Sequence, residues 1–148
     1  MDSPVKRAVL GFIAAAIAVL TFHQGMWEAL HLLDLPGLKM PTWYPIDRIP
    51  PLGVPRVVNL CFWGGLYGLV FGLLLPKFTW PIWLCGLITG FIAAFTGLVI
   101  VAAIKGLPIG GGWVLMNWVR SLLINGSWGL GLGLIVPFLL PGSAHRRT

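Results

Sequence analysis

His23, Trp27, Glu28 and His31 are the residues of this chain whose types and spacing come closest to a chemical site, with two imidazoles and a carboxylate in one short stretch. On a helix, His23, Trp27 and His31 share one face at four-residue steps. Imidazoles so placed suggest a metal or an axially held haem. However, a rise of ~1.5 Å per residue sets His23 and His31 ~12 Å apart along a straight helix, too far to share one ion. A haem held by two histidines needs a second one from another helix, and the third histidine, His145, lies in the tail. No metal and no cofactor is therefore assigned. Catalysis finds no support either: the Ser and Cys residues have no base nearby, and GxSxG, HExxH and phosphate-loop patterns do not occur. No Asp or Glu lies at the centre of an apolar segment, so the acidic relay of a proton-coupled pump is missing. The expectation is a protein that is not an enzyme, with no catalytic residue.

A wider polar set remains. Gln24 joins His23, Glu28 and His31 at the end of the first apolar segment; Arg56 and Asn59 open the second; Lys105 closes the third; Asn117, Arg120 and Asn125 occupy the first half of the fourth. An unpaired charge part-way into hydrocarbon is costly, so these groups should find partners. Glu28 is the one carboxylate within the segments. The expectation is that it pairs with Arg120, in preference to Arg56, with Asn59 and Asn125 completing the hydrogen bonds. The alternative is that each charge snorkels separately to water.

The elements that must carry these residues follow from composition. The chain has 148 residues, 57% hydrophobic and 9% charged, with a mean hydropathy of +0.90; soluble domains carry about a quarter charged residues. A membrane span needs roughly 20 apolar residues. Four such spans, at about 5–33, 56–75, 81–104 and 113–140, with a Pro-rich surface loop at 34–55, form a single transmembrane domain over 1–148. The fold class is all-α and polytopic, with the lipid bilayer as partner. The formal charge of +6 is scattered over segment ends, which excludes a nucleic-acid surface and fits orientation signals. Lys6, Arg7, Lys77, Arg146 and Arg147 fall on one side, and Lys39, Arg48, Arg56, Lys105 and Arg120 on the other. Since Arg56 and Arg120 look embedded and Lys39 and Arg48 sit in a longer loop, both termini are expected in the cytoplasm. Cys61 and Cys85 fall at opposite membrane faces, too far apart for a disulfide.

The first segment opens like a signal peptide, but a cut after Ala16-Ile17-Ala18 would fall inside the apolar run, so an uncleaved helix is expected. Six prolines between Asp34 and Pro55 preclude a regular helix or inner strand there; Trp43-Tyr44 suggests that the loop lies on the membrane surface. The fourth segment is longer than the hydrocarbon core, and Asn125-Gly126-Ser127 is the expected place for a bend. Gly110 to Gly112 reads as a flexible loop.

Trp63 to Pro76 returns as Trp128 to Pro141, identical at seven of fourteen positions. Each copy is the second member of a pair of apolar segments, so the chain reads as two helical hairpins in tandem, an internal repeat of the parallel kind. A weaker echo links Gly11-Phe12-Ile13-Ala14-Ala15 to Gly90-Phe91-Ile92-Ala93-Ala94. Gly64, Gly68 and Gly72, and likewise Gly86, Gly90 and Ala94, recur every four residues; such ridges let helices approach closely. They serve packing within the bundle or a face for a homo-oligomer or a membrane-protein partner.

Thr21-Phe22-His23-Gln24-Gly25, Pro51-Leu52-Gly53-Val54-Pro55, Phe62-Trp63-Gly64-Gly65-Leu66-Tyr67-Gly68 and Ile124-Asn125-Gly126-Ser127-Trp128-Gly129 resemble stretches of a group of uncharacterised small bacterial four-helix integral membrane proteins. The resemblance implies the bacterial inner membrane and no site. Residues and resemblance together lead to the expectation of a non-catalytic accessory, assembly or interaction subunit. A small oligomeric transporter or channel, with its polar site at the outer ends of the helices, is the rival.

Overall fold

The structure is a computed structural model describing residues 3–141; Ser143, His145, Arg146 and Arg147 lie outside the described residues. It is all-α apart from one short hairpin of two two-residue strands. Four helices are long and apolar enough to cross a membrane: α1 (Pro4–Leu33), α2 (Arg56–Lys77), α3 (Ile82–Ile104) and α4 (Leu115–Leu139). β1 (Arg48–Ile49) and β2 (Val54–Pro55) pair antiparallel before α2.

Local chemistry sets the helix ends. Ser3 caps α1 by accepting the Lys6 N–H on its hydroxyl, with Pro4 in the first turn where no N–H is needed. Asp34 stops α1 in a left-handed conformation (φ 49°) and holds Lys39 at 2.8 Å. The first N–H groups of α2 go to the loop: Arg56 donates to the Asp47 carbonyl and Val57 to the Pro45 carbonyl, both at 2.9 Å. Pro76 ends α2, and after Pro81 the chain turns back as α3.

The main contacts are α1 with α2 and α3 with α4, each an antiparallel pair; α1 against α4 joins the pairs, while α2 and α3 barely touch. Glycine makes the close approaches. A Cβ at Gly68 would collide with the Ala15 Cβ and the Gly11 carbonyl, and one at Gly86 would collide with the Gly129 carbonyl and sit 2.8 Å from Gly133 Cα. Gly64 and Gly72 also face α1, at Val19 and the Arg7 carbonyl, and Gly90 faces α4 at Asn125. All five predicted ridge glycines thus point into their own pair. In the register that aligns Gly68 with Gly133, the packing counterpart of Gly11 is Ile82, whose carbonyl a Cβ at Gly133 would meet. The echo between Gly11 and Gly90 is two turns out of step.

Where the pairs meet, Trp128, Leu132, Val136, Phe71 and the alanines 14, 15 and 18 form a dry core. Trp128 donates its indole N–H to the Ala15 carbonyl at 3.0 Å. The Tyr67 ring stands edge-on to Trp128, and the Tyr67 hydroxyl hydrogen-bonds Thr96, one of the points where α2 meets α3.

Three expectations need correction. Residues 125–127 do not interrupt α4, which continues from Leu115 to Leu139 with Pro137 inside it; the excess length is absorbed before Leu115, in a turn at Ile109–Trp113. That turn is wound rather than open, because Gly110, Gly111 and Gly112 all take left-handed φ of 60 to 69°, which costs glycine little. Irregularity inside the helices sits elsewhere, in π-helical turns at Val19–His23 of α1 and Thr96–Val101 of α3. Finally, the Pro-rich loop folds down along α1. The Trp27 indole donates to the Thr42 carbonyl at 2.7 Å and the Tyr44 hydroxyl reaches the Leu20 carbonyl at 3.3 Å, while Met40 is buried with Leu30 and Ile124.

Candidate functional site

A cavity of about 620 Å³ opens at the end of the bundle where α1 ends and α2 begins. Every helix contributes. α1 supplies His23 and Trp27, whose rings stack at 6.3 Å. From α2 come Arg56, Asn59 and Leu60, from α3 Leu98 and Lys105, and from α4 Asn117, Arg120, Ser121, Ile124 and Asn125. Ile49 and Pro50 of the hairpin and Gly111 of the glycine turn complete the rim.

Seven of the ten polar residues singled out in the sequence therefore gather here: His23, Arg56, Asn59, Lys105, Asn117, Arg120 and Asn125. Gln24, Glu28 and His31 do not line it. For Gln24 and Glu28 the cause is the helix face, since they flank the lining residues His23 and Trp27, and for His31 it is a difference in height. Tyr44 reaches down to Leu20 before the chain enters α2, so the last turns of α1 stand beyond the start of α2. His31 there donates its Nδ1–H to the Met40 carbonyl at 2.7 Å and packs on Trp43. Glu28 lies on the side of Tyr44, close enough to act on its hydroxyl electrostatically. Gln24, 1% exposed, turns inward, and neither its amide oxygen nor its nitrogen has a hydrogen-bond partner among the described residues.

The expected Glu28 pair is consequently absent. The carboxylate that Arg56 meets is Asp47, through Nε at 3.1 Å and Nη2 at 2.5 Å. The short hairpin between them, residues 48–55, brings Asp47 back onto the start of α2. This hydrogen bond holds the Asp47 carboxyl below the usual carboxylate range. Arg120 instead donates to the Asn117 side-chain oxygen at 2.9 Å, and Asn117 donates its amide N–H to the Gly111 carbonyl at 2.7 Å. A relay thus runs from the glycine turn to the guanidinium and fixes where it points. Asn125 donates back to the Ser121 carbonyl at 3.0 Å.

The electrostatic character is one-sided. Three cations line the cavity and no carboxylate does; Asp47 offsets Arg56 from outside, while neither Lys105 nor Arg120 has an acidic partner among the described residues. No group of three His, Cys, Asp or Glu side chains among those residues could hold a metal ion. Ser121 and Gly111 are lining residues that the polar set read from the sequence does not contain. Ser121 is one small hydroxyl on a long apolar helix, and Gly111 carries no side chain to mark it. Below the cavity, Val19, Tyr67, Thr96 and Trp128 form the next layer of the four helices, continuous with the dry core. The chain matches no family model, no curated protein and no solved structure.

Proposed function

We propose that this is a non-catalytic integral membrane protein of the bacterial cytoplasmic membrane, crossing it four times as two tandem hairpins with both termini inside. Its role is that of an accessory, assembly or interaction subunit that presents a polar cavity at the outer face. One observation carries the reading: the cavity is a dead end, closed beneath by the Trp128 layer and the glycine-packed core. A solute passing through one copy would have to displace Trp128 and its bond to Ala15. The antiparallel order supports the orientation, since Lys6, Arg7 and Lys77 fall at one face. The full chain, reconstituted in vesicles holding a potassium gradient, is expected to leave them sealed. A leak that grows with the amount of protein would reject this reading.

The rival, a small oligomeric transporter or channel, is favoured by a specific observation: Asn59, Arg120 and Asn125 do share a polar space. Gln24 and Glu28, which a path through the bundle would also need, lie off it. Mass analysis of the protein in mild detergent separates the readings further, because the rival requires several copies and the accessory role a different bound subunit.

A further inference from the structure

We propose that the cavity is a binding site for a phosphate-bearing anion, with Arg120 and Lys105 as its charged ligands, and that the head group of an anionic phospholipid is the source its surroundings suit best. The inference rests on the membrane-spanning reading given above.

Arg120 is the centre of the case. A guanidinium has five N–H donors, and one bond, to Asn117, is made here. The remaining donors face a space with no carboxylate on its wall. Because the Asn117–Gly111 relay holds the group in place, little further ordering is needed when an anion arrives. A planar fork of N–H groups matches the paired oxygens of a phosphate. Lys105 closes α3 of the same hairpin, so the two positive charges flank the glycine turn that joins α3 to α4.

Two independent features of the wall also indicate a ligand. His23 lines the cavity, is 7% exposed and has no hydrogen-bond partner at Nδ1, an expensive state for a buried polar atom. Moreover, the π-helical turns of α1 and α3 both border the cavity, through His23 and Leu98; such turns are frequent at functional sites. The volume falls within the range of roughly 300 to 1,000 Å³ typical of small-ligand pockets. A lipid is favoured over a free phosphate compound by the other wall: Leu60, Leu98 and Ile124 are apolar, and the thin contact between α2 and α3 leaves that side of the bundle the least closed. Phosphate would meet the cations, and an acyl chain would leave between the helices.

The test uses the purified full chain in a neutral detergent with three probes: short-chain phosphatidylglycerol, phosphatidylcholine of the same chain length, and glycerol 3-phosphate. Binding is followed by the thermal midpoint and by tryptophan emission, to which Trp27 on the wall contributes. Phosphatidylglycerol is expected to raise the midpoint, and less so as salt increases, whereas phosphatidylcholine leaves it unchanged. Arg120→Gln should weaken binding by about tenfold or more, the loss expected when a charge-assisted hydrogen bond is removed. Lys105→Gln, at an exposed helix end, should weaken it severalfold and serves as the second variant if Arg120→Gln does not fold. Glycerol 3-phosphate binding as tightly as phosphatidylglycerol would support the phosphate site and assign it a soluble ligand. Equal response to both lipids, or wild-type binding by each variant that folds, would overturn the proposal. Such a failure leaves the sealed-bundle reading intact, since that rests on vesicle flux; a leak with phosphate binding preserved would reject the flux reading alone.

Discussion

The Trp128 indole and the Ala15 carbonyl, 113 residues apart in the chain, share a hydrogen bond of 3.0 Å that links the first hairpin to the second. The Ala15 carbonyl already accepts the helical Val19 N–H, so the indole adds a second bond on its free side. Trp128→Phe keeps most of the ring and removes the donor, and is expected to cost about 1 kcal/mol. Trp128→Ala also opens a void in a 2% exposed site and should cost about 3 to 5 kcal/mol. Thermal unfolding in detergent measures both; equal stability of Trp128→Phe and the wild type would show that the bond contributes nothing.

Two glycines of the same kind of helix should respond in opposite directions. Gly68→Leu forces a side chain into Ala15 and Gly11 and is expected to destabilise by about 1 to 3 kcal/mol. Nothing lies within 4 Å of a Cβ at Gly25, so Gly25→Ala should raise stability by up to about 1 kcal/mol through helix propensity. If both variants shift the midpoint in the same direction, helix contact at Gly68 is not what decides the outcome.

Asp47 and Arg56 give a pH dependence of defined sign. The carboxyl is held below its ordinary range by the Arg56 hydrogen bond, so its contribution is present above the unfolded value of about 3.9. It is lost as pH falls through the lower, folded value. The pair is exposed, with side-chain accessibilities of 47% and 54%, which keeps the effect small. Asp47→Asn should lose a little stability at pH 9 and converge on the wild type as pH falls below about 3, which flattens the acid limb of its profile. An unaltered acid limb in that variant would remove the pair from the account.

Orientation can be read by thiol labelling. With Cys61 and Cys85 replaced by alanine, Thr42→Cys in the loop should react with an impermeant reagent added to intact cells, and Lys77→Cys in the α2–α3 turn should not. Both positions are exposed. The reverse pattern would turn the protein over and place the cavity on the cytoplasmic side.

Helices were legible because length and hydropathy alone determine them, and seven cavity residues were legible because a polar side chain within or at the end of an apolar span has few places to go. The histidine stripe shows where this stops. His23, Trp27 and His31 do share a face, but the cavity ends after Trp27, since α2 starts lower than α1 finishes. That offset is created by a Pro-rich loop with no periodicity to read. Asp47 escaped for the same reason: a hairpin of two-residue strands, too short to signal itself, carries it back to Arg56. The π-helical turns have no composition that marks them.

The seam made by α1 and α4 imposes an order on biogenesis. α1 and α2 leave the ribosome with matching glycine ridges and can pair as soon as both are inserted. A nascent chain that has reached Lys105 has two cations of the cavity, Arg56 and Lys105, but neither Arg120 nor the Trp128 indole. The cavity wall is therefore incomplete in every intermediate of synthesis until α4 has docked against α1.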